Sequence, residues 1–202
     1  FILIISFVSG QAQYSAINSF YSSTSLSLGG AGYLSPNLLS LKNNPSVKND
    51  ERIIKTSIIN YKNGISGQSF GGNFLFKGGN ISFSLKNISY GTFDKYDENK
   101  ILRGKYQSSD NWFTLLFSKK IENMPLRVGI RYEHLFSQLE DYFFQVPFIS
   151  IGSSFFIPNI NTDIGISINQ ANINFINNDH TNSIINPDIV ISSAKTLEHL
   201  PL

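Results

Sequence analysis

The chain has 202 residues, the size of one ordinary domain, with 16 Lys and Arg against 14 Asp and Glu for a net charge of +2. That balance offers no broad electrostatic grip on nucleic acid. Charged residues make up 15% of the chain against roughly 25% in soluble domains, aromatics reach 13%, and no apolar stretch approaches the length of a spanning helix, which excludes a helical membrane protein. The absence of Cys removes disulfide scaffolds, thiolate metal sites and cysteine nucleophiles together.

The first residues, Phe1 to Val8, form an apolar run followed by Ser9-Gly10-Gln11-Ala12, the pattern of a secretory core and its cleavage site. Residues 1–13 therefore read as part of a signal peptide, and the protein as exported. A short buried strand is the alternative. The only Met is Met124 and no basic residues precede the apolar run, so the chain is expected to begin inside that signal. After a polar stretch, Tyr14 to Ser27, residues 28–46 concentrate Gly, Pro, Asn and Ser around short apolar pairs and read as irregular or briefly helical.

From Arg52 onward the chain breaks into stretches rich in Ile, Phe, Tyr, Val and Thr. Strands are expected near 52–62, 66–77, 79–90, 106–120, 125–140, 143–157, 163–176 and 187–198. Turn chemistry at Lys62-Asn63-Gly64, Lys77-Gly78-Gly79-Asn80, Glu122-Asn123-Met124-Pro125 and Ile157-Pro158-Asn159 makes neighbouring strands antiparallel hairpins. Leu135, Phe136, Leu139 and Tyr142 also sit at helical spacing, so a short helix there is an alternative. His199-Leu200-Pro201-Leu202 reads as a turn opening into a further strand, so the strand region 51–202 is expected to be truncated at its C-terminal end.

The clearest alternation is in PLRVGIRYEHLF. Leu126, Val128, Ile130 and Tyr132 form one apolar face, while Arg127, Arg131 and Glu133 lie on the other. Soluble sandwiches alternate too, but segments of about ten or more residues after an export signal match tilted transmembrane strands. The expected fold is all-β, an antiparallel transmembrane β-barrel with about eight of its strands present. A charge is costly on a lipid-facing surface, so Arg127, Arg131 and Glu133 are expected to face the lumen and Leu126, Val128, Ile130 and Tyr132 to face outer-membrane lipid. The charged set is read as lining a plugged lumen rather than as a selectivity determinant.

Other chemistry-bearing patterns have simpler explanations. Gly67-Gln68-Ser69-Phe70-Gly71 matches a nucleophile elbow, but another strand-like run follows it in place of the helix that motif needs. Asp94, Asp97 and Glu98 miss the spacing of a calcium loop and suit a hairpin tip. His134, His180 and His199 have no metal-ligand spacing and read as surface or lumen polarity. No catalytic residue, cofactor or metal site is expected.

Two stretches are more specific. GNISFSLKNISYGTFDKYDENKILRGKYQSSDNWFTLLFSKKI, continued by LRVGIRYEHLFSQLEDY, resembles the PorV/PorQ family of outer-membrane proteins of the type IX secretion system. The shared features are Tyr90-Gly91-x-Phe93, the Tyr96 to Asn99 hairpin tip, a return strand opening at Gly104, Ser108 to Asp110, and Leu139-Glu140-x-Tyr142. Leu28-Gly29-Gly30-Ala31 and Asn44-Pro45 resemble the family's N-terminal elements, although Lys42-Asn43 and Ser46-Val47 flank the latter in place of a small residue and an aromatic context. Ala194-Lys195 with His199-Leu200-Pro201-Leu202 is similar to a late inter-strand segment. The resemblance covers most of residues 25–202 and is closer to the PorQ branch.

The resemblance implies a FadL-like barrel, related to long-chain fatty-acid transporters, whose residues 14–50 pack into the lumen as a plug. It implies a structural, adaptor-like role without enzymatic activity in the outer membrane of a Gram-negative bacterium. The partners it implies are PorU-, PorV- and PorZ-like proteins of a cell-surface cargo attachment complex. A FadL-like transporter of hydrophobic compounds is the alternative. A secreted esterase built on Ser69 is a third reading.

Overall fold

Eight strands between Ile53 and Lys195 pair antiparallel with their sequence neighbours into one sheet, in sequence order. In the computed structural model the described residues are 32–35, 38–40, 43–47, 49, 51–140, 142–173 and 187–195. The strands are β1 (Ile53–Asn60), β2 (Ser66–Phe76), β3 (Gly79–Tyr96), β4 (Leu102–Lys120), β5 (Leu126–Leu139), β6 (Tyr142–Ile157), β7 (Thr162–Asn172) and β8 (Asp188–Lys195). Among the described residues, β1 pairs with β2 alone and β8 with β7 alone. The fold is therefore all-β, an eight-stranded antiparallel meander, and the described residues contain no α-helix.

Turn chemistry fixes the register. Lys77 and Gly78 both adopt positive φ, 45° and 74°, which gives the two-residue connection of β2 and β3 a twist that matches its strands. The β5–β6 connection is equally short, with Leu139 opposite Tyr142 and Glu140 at φ 56°. This pairing excludes the helical alternative at Leu135 to Tyr142, since Leu135 and Phe136 face opposite sides of a strand.

The hairpin of β3 and β4 runs further than the sequence pattern suggested, to Tyr96 and back from Leu102. Gly91, at φ 93°, absorbs the irregularity between Ser89 and Gly91, so what reads as a strand end is a β-bulge inside a longer strand. At the tip, the Asp97 carboxylate accepts hydrogen bonds from the backbone N–H groups of Asn99 and Ile101, each at 2.9 Å, and pairs with Arg103. Asp97 is thus the hairpin cap, while Asp94 lies within β3 opposite Lys105. The expected ends of β7 and β8, past Asn172 and Lys195, fall outside the described residues, as does the proposed signal segment.

The two faces of the sheet have inverted polarity. Among the described residues, seven apolar side chains, Pro45 among them, are buried against twenty-two polar or charged ones. The buried face carries Asn80, Ser82, Ser84 and Lys86 on β3, Asp110, Thr114 and Ser118 on β4, and Arg131 and Glu133 on β5. The opposite face exposes Ile54 and Ile58 on β1, Phe70 and Phe74 on β2, Leu115 and Phe117 on β4, Ile164 and Ile166 on β7, and Ile189 and Ile191 on β8. A soluble sheet buries its apolar face and wets the other.

The apolar face ends at a row of amides. Gln68, Asn87 and Asn111 are register partners on adjacent strands, and the Asn87 Nδ2 donates to Asn111 Oδ1 at 2.8 Å. Beyond this row β3 and β4 continue into their exposed hairpin.

Candidate functional site: the polar face and the segment seated on it

What covers the polar face is the N-terminal segment, and three glycines let it approach. Gly129 on β5 is the register partner of Gly152 on β6, and Gly165 on β7 pairs with the nearby Ser154. A Cβ on Gly129 would overlap the Pro45 carbonyl, one on Gly152 would overlap the Asn44 carboxamide oxygen, and one on Gly165 would lie 2.7 Å from Leu34 Cδ2. Glycine is required here for backbone approach rather than for its range of φ.

Asn44 occupies this cradle at 1% exposure, with every side-chain hydrogen-bonding group engaged. Its Nδ2 donates to the backbone carbonyls of Ser153, at 3.0 Å, and Ile166, at 3.1 Å. Its Oδ1 accepts from the Ser46 N–H, at 3.0 Å, and from the Ser46 hydroxyl, at 2.7 Å. The Asn44 N–H in turn donates to the Tyr33 carbonyl at 2.8 Å. One side chain therefore folds the segment and ties it to two strands. Burial, with the Asp188 carboxylate adding to it, pushes the Tyr33 phenol above its ordinary pKa.

Beside the cradle lies a buried ion pair. Arg131 Nε sits 2.8 Å from Glu133 Oε1, an electrostatic contact without hydrogen-bond alignment, between side chains 1% and 0% exposed. Arg131 Nη1 donates to the Asn43 carbonyl at 2.8 Å, so the guanidinium holds the segment as well as its own carboxylate. Nη2 reaches the Ser150 hydroxyl and Asn169 Oδ1 at 3.3 and 3.4 Å. Lys86 on β3 is also buried on this face, and Asp110 accepts a 2.6 Å hydrogen bond from the hydroxyl of Tyr90, which follows Lys86 and Ile88 in the strand's alternation. On β2, Asn73 donates to the backbone carbonyls of Asn49 and Glu51 and accepts from Ser82, tying the end of the segment down.

Of the residues singled out from sequence, Arg131 and Glu133 lie together on the buried polar face. Arg127 is half-buried on the same face, nearer the short turns, where it borders a cavity of about 640 Å³ with Leu34, Val47, Met124 and Phe156. Val128 and Ile130 are exposed on the opposite face, and Leu126 and Tyr132 are half-buried there. His134 shares that face, stacked on Phe136 at 4.3 Å between ring centroids and hydrogen-bonded to the Tyr132 hydroxyl. His180 and His199 fall outside the described residues. Ser69 lies within β2, paired with Lys86 of β3, and no helix follows it, so the strand-to-helix turn of a nucleophile elbow is not formed. Among the described residues no three His, Asp or Glu side chains converge as a metal site.

Sequence reasoning missed Lys86 and the glycine cradle. Lys86 continues the alternation of Ser82 and Ser84, which is the signal that could have found it. Comparison of the chain with protein-family models, curated proteins and solved structures gives no match.

Proposed function

We propose that this chain forms strands of an outer-membrane β-barrel whose lumen is occupied by its own N-terminal segment, and that it acts as a non-enzymatic, PorQ-like structural adaptor of the type IX secretion system. The observation that carries the membrane reading is the inverted polarity of the sheet, with charges and serines inside and Ile, Phe and Leu outside. In lipid the outer face meets hydrocarbon and the polar face must find partners within the protein. Along β4 the outward positions run Asn111, Phe113, Leu115, Phe117 and Lys119. At about 3.4 Å per residue and a tilt of about 40°, the stretch between Asn111 and Lys119 spans roughly 21 Å, near the ~25 Å apolar band of such barrels. The connections also suit this reading: three short turns gather at one end of the sheet and the long β3–β4 hairpin stands at the other.

The type IX assignment rests on the ordered sequence motifs, several of which occupy defined places: Tyr90-Gly91 at the bulge, Asp97 at the tip, and Asn44-Pro45 in the cradle. On this reading the partners are outer-membrane lipid and PorU-, PorV- and PorZ-like proteins. A FadL-like transporter of hydrophobic compounds is the second reading, favoured by the cavity of about 640 Å³ beside Leu34, Met124 and Phe156. Membrane fractionation followed by affinity purification of the full gene product tests the proposal. Recovery in the outer membrane with attachment-complex proteins supports it. A soluble protein after carbonate extraction overturns the membrane reading, and an outer-membrane protein that retains only hydrophobic compounds overturns the adaptor in favour of the transporter.

A further inference from the structure

We propose that the cavity between the N-terminal segment and the inner face of β3 and β4 is a binding site for a small cluster of water, which exchanges with bulk solvent along those two strands. The two sides are built differently. Towards β5, β6 and β7 the segment is seated on three glycines, and Asn44 and the Asn43 carbonyl are hydrogen-bonded to the strands. Towards β3 and β4 it faces Asn80 Nδ2, Ser84 Oγ, Thr114 Oγ1 and Ser118 Oγ, four buried polar atoms with no hydrogen-bond partner in the protein. Their side chains are between 0% and 5% exposed, on two adjacent strands.

All four residues line one cavity of about 40 Å³, closed on its other side by the segment's Leu38, Asn43, Pro45 and Val47. A polar cavity is hydrated where it offers a water molecule several partners, and this one is well above the about 10–15 Å³ that a cavity needs to admit a water. The donors and hydroxyls that the protein leaves unsatisfied supply those partners, and water offsets the cost of burying them. Segment residues can part from a wet, serine-rich wall without leaving polar groups bare, whereas parting from the glycine cradle breaks direct hydrogen bonds. Exchange with bulk water therefore runs along β3 and β4. The inference concerns the interior alone and does not require the membrane assignment.

The chain lacks cysteine, so single thiols report position directly. In the folded full chain, Ser84→Cys, Thr114→Cys and Ser118→Cys are exposed to silver ion, a thiol-specific probe of nearly water size, with Ser150→Cys and Ser167→Cys, on β6 and β7 where the protein itself satisfies the hydroxyls, as equally buried controls. Alkylation after unfolding counts the thiols left free. The three seam thiols are expected to react at least ten-fold faster than the two controls. Equal rates, or no reaction until unfolding, overturn the proposal. A second measurement needs no substitution: synchrotron radiolysis oxidises side chains beside bound water. Pro45 is as deeply buried as Leu135 and Val146 but borders the cavity, so it is expected to oxidise several-fold faster than both. Equal oxidation of the three overturns the water site whatever the fate of the cysteine variants.

Discussion

Replacing Gly152 with Ala adds one methyl group where the segment sits closest to the sheet. The new Cβ would overlap Asn44 Oδ1 and lie 2.9 Å from Pro45 Cδ and 3.0 Å from Asn44 Cγ, with strand backbone behind it. The segment must lift by nearly an ångström. Asn44 Nδ2 now stands 3.0 and 3.1 Å from its two carbonyl partners, so the same lift takes both bonds past useful length. Two buried bonds at about 1 to 2 kcal/mol each, counting the carbonyls left bare, give about 2 to 4 kcal/mol against the seated state. That corresponds to a population ratio changed by roughly 30- to 1,000-fold. Hydrogen exchange of the Asn44 and Ser46 amides reads this ratio, because both N–H groups are bonded only while the segment is folded on itself. Protection is expected to fall by that factor, and Asn44→Ala to lower it comparably. The double variant is expected to cost little more than Asn44→Ala alone, since removing the carboxamide relieves much of the clash. Unchanged protection in Gly152→Ala, or strictly additive effects, would refute the cradle argument.

Three further outcomes are expected. Glu133→Gln leaves Arg131 buried without its counter-charge and is expected to cost about 3 to 5 kcal/mol in urea titrations of the folded protein, while the charge-free Arg131→Met/Glu133→Gln pair costs less than Glu133→Gln alone. On the proposed membrane reading, Val128→Arg places a charge on the lipid-facing side and is expected to cost about 2 to 4 kcal/mol in the same assay, more than Arg127→Val; the reverse order would overturn that facing. Asp97→Ala removes the cap of the β3–β4 hairpin, so amide exchange at Asn99 and Ile101 is expected to speed by about ten-fold, the equivalent of roughly 1 kcal/mol, with no change in the global unfolding midpoint.

Strand existence and facing were legible where alternation was regular. In β5 the period of two separates Arg131 and Glu133 from Val128 and Ile130 without reference to any other strand. The length of the β3–β4 hairpin was hidden because Gly91, Asp94 and Asp97 are turn formers by type, and only the pairing of Thr92 to Gln107 and Phe93 to Tyr106 reveals that two of them lie within a strand. The cradle was hidden for a different reason. Gly129, Gly152 and Gly165 each look like ordinary strand glycines, and their adjacency exists only through the registers of β5 with β6 and β6 with β7. Asn44-Pro45 stood out as a motif, but its seat is a property of three strands that begin more than eighty residues later.

That separation sets an order of events as the chain is made. Asn44 emerges from the ribosome early, yet the carbonyls it grips belong to residues 109 and 122 positions further along. Its seat cannot exist until β6 and β7 have been delivered and brought into register. The segment made before the sheet is thus among the last parts to find its place, and closing so long a loop carries an entropic cost that local turns such as Lys77-Gly78 do not bear. Until then its polar groups have only water or a chaperone for company. A cell that makes this protein has to keep the stretch around Asn44 uncommitted while most of the sheet is still arriving.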